Sequence, residues 1–294
     1  MIRAALGRHL SALILAPTGA ATLVFVYGFI AWTAYMSFTS SRMMPLYELT
    51  GFAAYTRLWE LERWNVAIVN LLIFGSLYVG VGLVTGLLLA ILLDQRIRAE
   101  GLLRTIYLYP MALSFIVTGT VWKWLLNPGI GLERAVQQLG WEGFRFDWIV
   151  DPDLAIYTIV IAGVWQSSGL VLAIFLAALR GMDQDVVKAA FMDGASTVQI
   201  YWGIVLPSIR PAFFSAVVVL THLAVKSFDL VVAMTNGGPG YATDLPAIFM
   251  YSMSFQRNNI AVGSATAMMM LCTVMAIIVP YLYSELRPAR SARG

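Results

Sequence analysis

The stretch KAAFMDGASTVQIYWGIVLP, Lys188 to Pro207, decides how this chain is read. Val187, Ala190, Phe191, Ala195 and Val198 recur at helical period as an apolar face, while Lys188, Asp193 and Gln199 fall off it. Gly194 can take a positive φ, and Ser196 followed by Gln199 has the spacing of a capping box that starts a new helix. Pro207 stops that second helix or kinks its junction with the next apolar segment. The pattern predicts a helix, a break and a second helix over 183–207, a bent amphipathic element lying on a membrane surface. A plain surface loop satisfies the same pattern.

Long apolar segments flank this island on both sides. The chain has 294 residues, 60% of them hydrophobic and 12% charged, with a mean hydropathy of +0.77. Such values exceed what a soluble core requires and match a polytopic membrane protein. Spans are expected at about 10–38, 66–93, 102–125, 154–179, 211–234 and 260–282, giving an all-α fold of six transmembrane helices in one domain, 1–294. The first resembles a signal peptide in its basic start, but its apolar stretch is long and lacks an A-x-A site, so it is expected to remain as a span. Gly75, Gly80, Gly82 and Gly86 in the second span suit close helix packing in lipid. Trp122, Lys123 and Trp124 read as an interfacial belt with a snorkelling lysine.

Six spans place both termini on one side. With the amino terminus inside, the inner segments hold Arg3, Arg8, Arg96, Arg98, Arg104, Arg180, Lys188, Arg210, Arg287, Arg290 and Arg293. The outer loops hold Arg42, Arg57, Arg63, Arg134, Arg145 and Arg257. This bias predicts cytoplasmic termini and a cytoplasmic island.

Several chemistries find no support. The three lysines, Lys123, Lys188 and Lys226, follow Trp, Val and Val, so there is no G-x-x-x-x-G-K-[ST] loop for nucleotide phosphates. ATP, if used, is hydrolysed by another polypeptide, and no cofactor is expected on this chain. G-x-S-x-G and H-E-x-x-H motifs are absent, which argues against the commoner membrane hydrolases. A single cysteine, Cys272, and two distant histidines, His9 and His222, give neither a disulfide framework nor a metal site.

Polar residues within the apolar segments are the remaining candidates, because a charge in hydrocarbon is costly and usually faces a cavity or a partner. In the fifth span His222, Lys226 and Asp229 recur at i, i+4 and i+7, with Thr221 and Ser227 beside them. Two readings stand: a structural Lys226–Asp229 ion pair, or a polar wall of a substrate cavity. In the fourth span Trp165, Gln166, Ser167 and Ser168 interrupt an aliphatic helix. A ring beside amide and hydroxyl groups suits a sugar, whose C–H faces stack while its hydroxyls bond. Interhelical hydrogen bonding explains the same residues.

The island also resembles a named motif. Lys188, Ala189 and Ala190, then Gly194, then Ile204, Leu206 and Pro207 reproduce the spacing of the EAA motif of bacterial ABC importers. Asp193-Gly194-Ala195 matches the form found in the sugar branch, and only Lys188, where the family has Glu, departs. With Thr235-Asn236-Gly237-Gly238-Pro239 and the run from Phe255 through Gly263, Ala265 and Ala267, the whole chain resembles a maltose-transporter-type sugar permease, a type I ABC importer (MetI-like) transmembrane domain. Residues 141–179 and DLPAIFMYSMSF at 244–255 are more similar to glucose- or mannose-type permeases.

That resemblance implies a subunit of the bacterial inner membrane that imports a monosaccharide or small oligosaccharide. It implies a homologous second permease, an ABC ATPase dimer carrying ATP and Mg, and an extracytoplasmic sugar-binding protein. Trp165, Gln166, Ser167 and Leu170, with Leu220, Leu223, Ala224 and Ser227, fall where the family lines its sugar site, and Lys226 lies among them. Lys188, Ala189, Ala190, Asp193, Gly194, Ala195, Leu206 and Pro207 would couple to the ATPase, and Gly237, Gly238 and Pro239 would meet the binding protein. Several polar positions of the maltose site are apolar here, which implies a different sugar. A rival from another class is an ion-coupled secondary transporter using Lys226 and Asp229; six spans without an inverted repeat speak against it.

Overall fold

A computed structural model describes residues 14–95 and 98–286. Residues 10–13 of the expected first span, His9, and the inner-side arginines Arg3, Arg8, Arg96, Arg287, Arg290 and Arg293 lie outside the described residues. Within them the regular secondary structure is helical, apart from one isolated antiparallel bridge, Thr39 to Leu49. Four helices are each long and apolar enough to cross a membrane: α1 (Ile14–Ser37), α3 (Glu62–Asp94), α7 (Ala155–Arg180) and the Ile260–Pro280 part of the last helix. Two bent pairs bring the candidate spans to six if each pair counts as one.

The chain divides into two compact units. The first comprises described residues 14–62 and 249–271. In it α1 exposes apolar side chains along most of its length, as a lipid-facing helix does. The segment after α1 folds back through Ser41, whose Oγ donates to Leu46 O at 2.9 Å, and leads into α2 (Ala53–Glu60), where Leu58 is fully buried.

The second unit comprises described residues 63–248 and 272–286. Helix α3 has 33 residues, about 50 Å at 1.5 Å per residue, longer than the roughly 30 Å hydrocarbon layer. Helix α7 is the most buried of the candidate spans and forms the core with Ile159, Val171, Leu172 and Phe175. The two cross at Gly86, where a Cβ would lie 2.4 Å from Val171 Cγ1. Packing is thus the use of Gly86; a Cβ at Gly82 would lie 3.3 Å from Leu220 Cδ1, and one at Gly80 would meet nothing within 4 Å among the described residues.

The expected third span, 102–125, is not one straight helix. Helices α4 (Glu100–Leu108) and α5 (Phe115–Leu125) meet at 101°, with a 3-10 turn over Tyr109–Ala112 between them. Pro110 cannot supply the N–H a continuous helix needs, and Ser114 Oγ caps the new helix by accepting Val117 N at 3.3 Å. A short helix, α6 (Leu132–Gln138), follows in the next loop. The expected fifth span, 211–234, is also interrupted: α10 (Arg210–Val225) ends at Lys226, and α11 (Asp229–Met234) begins anew.

Candidate functional site

The island folds as its pattern predicts, and its geometry can be traced bond by bond. Helix α8 (Gln184–Met192) starts on Asp183, whose carboxylate accepts Asp185 N at 2.9 Å. It ends in a Schellman motif: Ala195 N donates to Ala190 O and Gly194 N to Phe191 O, both at 3.1 Å. Gly194 sits at φ +85° with nothing within 4 Å of where a Cβ would stand, so backbone conformation and not space demands glycine. Ser196 and Gln199 then close a reciprocal capping box, with Gln199 Oε1 accepting Ser196 N at 2.8 Å. Helix α9 (Thr197–Ser208) follows, bent 64° against α10.

One side of the island is anchored and the other is bare. Ile200, Val205 and Ile209 are buried, and Val187, Ala190, Ala195 and Leu206 pack against the core. Phe191, Met192, Val198 and Trp202 are exposed, Met192 to 88%. The expected single apolar face is split: Val187, Ala190 and Ala195 pack against the core, while Phe191 and Val198 are exposed. For Val198 the break at Gly194 resets the helical phase; Phe191, on α8 with Val187 and before the break, shares the face of Val187 but remains half open to its surroundings. Lys188 is exposed and its Nζ lies 2.8 Å from Asp185 Oδ1, a neutralised pair on the same helix. Such an exposed pair contributes little stability. Ala189, Asp193 and Pro207 lie on the same surface element, the first two exposed and Pro207 half-buried.

The island's root is tied by charge. Arg180, at the end of α7, lies 2.5 Å from Glu100 Oε1 and 3.8 Å from Asp94 Oδ1. Gln95 donates from Nε2 to the Tyr201 hydroxyl at 3.4 Å. Burial first and the Asp94 carboxylate second hold the Tyr201 phenol above its ordinary 10.0, so it stays protonated.

The residues expected to meet substrate fall into separate places. Trp165 is 40% exposed, packs edge-on against Trp122 with centroids 5.8 Å apart, and lines a groove with Thr85, Leu88, Tyr107, Pro110 and Ser168. Gln166 and Ser167 are buried. Gln166 Nε2 donates to Leu113 O at 2.7 Å, holding the bend between α4 and α5, and its Oε1 has no hydrogen-bond partner among the described residues. Ser167 Oγ bonds the Tyr78 hydroxyl. Leu170 and Leu223 are half-buried, and Leu220 and Ala224 are buried.

Leu223, Lys226 and Ser227 line a small pocket of about 40 Å³ with Phe74, Tyr78 and Asp229. No ion pair joins Lys226 to Asp229 among the described residues, contrary to the structural-pair reading. The i, i+4, i+7 face that would align His222, Lys226 and Asp229 requires one helix, and the helix ends at Val225.

The 235–245 loop carries residues that motif reading missed. Asp244 is fully buried and forms an ion pair with Arg63, Nε to Oδ2 2.5 Å, while the Arg63 guanidinium lies 4.7 Å over the Tyr241 ring. Asn70 Nδ2 donates to Tyr241 O at 3.2 Å and Asp244 O at 3.0 Å. Thr243 Oγ1 donates to Gly238 O at 2.8 Å. This clamp fixes the loop on the start of α3. Gly237 is buried and Gly238 and Pro239 half-buried, whereas Asn236, Gly240 and Tyr241 are exposed at the tip. A lone acid opening the apolar run after Asp244 was the available signal; its partner is 181 residues away.

Comparison with known proteins agrees with this architecture. The family described as binding-protein-dependent transport system inner membrane component matches residues 82–288. A probable ABC transporter permease protein of Pyrococcus horikoshii is 40% identical over 268 residues, covering 88% of this chain and 90% of that one. The xylose/arabinose import permease protein XacH of Haloferax volcanii is 34% identical over 266 residues, covering 89% and 83%. A solved bacterial ABC transporter involved in the import of the acidic polysaccharide alginate has a chain that superposes with a TM-score of 0.84 at 20% identity, over 98% of this chain and 99% of that one. At that identity the likeness concerns the fold.

Proposed function

Because the chain belongs to the family of binding-protein-dependent transport system inner membrane components, we propose that it is the permease subunit of an ABC importer that takes up a sugar. The similarity to a xylose/arabinose permease supports a monosaccharide or small oligosaccharide over other cargo. In this reading the chain forms one transmembrane domain with both termini cytoplasmic. It pairs with a second permease, receives sugar from an extracytoplasmic binding protein, and is driven by ATP hydrolysed on separate subunits.

The observation that carries the proposal is the island itself. A helix ended by a Schellman motif and restarted by a capping box is stiff, and its buried Ile200, Val205 and Ile209 join it to the membrane helices. Its exposed Phe191, Met192, Val198 and Trp202 form an apolar knob with no partner in the chain's own core. A knob of this kind fits a cleft on an ATPase and transmits its closure as rigid-body movement. Lys188 then meets the ATPase already neutralised by Asp185, so the exchange of the family's Glu for Lys does not place a bare positive charge at the contact.

Sugar contact is assigned to Trp165 on its groove and to Ser227 and Lys226 in the small pocket, with Gln166 and Ser167 holding the helices that shape them. The exposed tip of the clamped loop, beside Gly237 to Pro239, is the surface offered to the binding protein. Uptake by the reconstituted chain in liposomes tests the class of mechanism. Transport that requires the ATPase and binding protein supports it; uptake driven by a proton or sodium gradient without them would establish the ion-coupled alternative.

A further inference from the structure

Within the first unit, Thr39, Ser40, Arg42, Thr50, Arg57 and Asn259 surround a cavity of about 160 Å³ that nothing in the transport reading uses. It lies where α1 ends at Ser37 and where the last helix, α12 (Ile260–Leu286), begins. Both are ends of apolar helices, so the cavity is at the depth where hydrocarbon gives way to headgroups. Arg42 and Arg57 are exposed, and neither has an ion-pair partner among the described residues, although Glu48, Glu60 and Glu62 lie on the same segments.

The polar atoms around the arginines are partly committed. Asn259 Oδ1 accepts Val262 N at 3.3 Å, and Ala261 N is taken by Ser41 O at 2.9 Å, so the start of α12 keeps few amides for a ligand. Thr39 Oγ1 donates to Met36 O at 2.8 Å and Thr50 Oγ1 to Phe38 O at 3.4 Å, so what the cavity offers is two guanidiniums beside the Ser40 hydroxyl. Guanidinium matches the oxygens of a phosphate in geometry as well as charge. The same unit carries exposed aromatics on α1 and on the segments that follow it: Trp32, Tyr35, Tyr47, Phe52 and Trp59. Trp32 and Tyr47 pack edge-on with centroids 6.1 Å apart. Rings so placed form the belt that marks a bilayer interface.

We propose that this cavity binds the phosphodiester headgroup of an anionic membrane lipid, with Arg42 and Arg57 holding the phosphate and the aromatic belt seating the glycerol and upper acyl chains. The site depends on membrane insertion of the chain and not on which substrate it carries.

Native mass spectrometry of the full-length chain, released from detergent with phosphatidylglycerol or phosphatidylcholine added, tests this. Wild type is expected to retain phosphatidylglycerol. Each guanidinium at an anionic headgroup contributes about fivefold, so Arg42→Gln/Arg57→Gln is expected to weaken retention about 25-fold. The Arg42→Lys/Arg57→Lys variant keeps the charge and should recover much of it, which guards against a folding defect. An Arg134→Gln/Arg145→Gln control should leave retention unchanged. Equal retention by wild type and the Gln variant overturns the proposal. So does protection from heat by millimolar inorganic phosphate that matches the lipid's and vanishes in the Gln variant, since the site would then serve a free anion. Unchanged lipid retention with loss of stimulation by the soluble binding protein would also overturn it, and would make the cavity a protein contact.

Discussion

Replacing Gly194 separates backbone geometry from bulk at the centre of the island. At φ +85° a residue with a Cβ is strained, and the surrounding space is empty, so the cost is conformational alone. That cost is about 1 kcal/mol for Ala and about 2 kcal/mol for a β-branched residue, whereas Asn tolerates the left-handed region. If the strained break competes with an unstrained one of similar energy, about 2 kcal/mol shifts their ratio about 30-fold and lowers the working geometry from about half of the population to about 3%, using 1.4 kcal/mol per factor of ten. Uptake should therefore fall in the order Gly, Asn, Ala, Val, with Gly194→Val nearly inactive. ATP-driven uptake in proteoliposomes is the assay, with ligand affinity of the binding protein and basal ATPase rate as controls expected to stay constant. Equal losses for Asn and Val would show that bulk and not φ matters, and normal uptake by Gly194→Val would refute the role of the break.

Other outcomes rest on specific contacts. Asp244→Ala leaves Arg63, whose side chain is only 15% exposed, without its carboxylate; breaking a buried pair costs about 3–5 kcal/mol, so thermal unfolding should shift down and stimulation by the binding protein should fall. Gly86→Val should prevent assembly, because its Cβ would meet Val171 at 2.4 Å, while Gly80→Ala should be tolerated; expression and thermal melts of the two distinguish packing from sequence position. Trp165→Ala should cut uptake while leaving association with the ATPase intact, as measured by co-purification.

Much of the fold was legible because apolar length and glycine or proline punctuation act locally. The island was legible in detail, since caps and a left-handed glycine are encoded within a few residues. The bends were less so. Pro110 lay in view within the third apolar stretch, yet hydropathy runs through it; Lys226, Ser227 and Phe228 carry no strong breaker at all. Rotational setting was the hardest to read. Trp165 and Gln166 are adjacent, yet one reaches a groove and the other is spent on Leu113 O, a distinction set by which helices pack around α7. Arg63, Asn70 and Asp244 are joined only by the tertiary fold, and no spacing announces them.

Docking of the island on an ATPase subunit is the central claim, and site-directed cross-linking tests it most directly. With Cys272 replaced by Ala, a cysteine in place of Met192 (88% exposed) and, separately, one in place of Leu139 (87% exposed) would be probed in the assembled transporter. The Met192→Cys variant is predicted to cross-link to the ATPase in a nucleotide-dependent way, and the Leu139→Cys variant to give no ATPase product. ATPase cross-linking from Leu139→Cys and none from Met192→Cys would contradict the account.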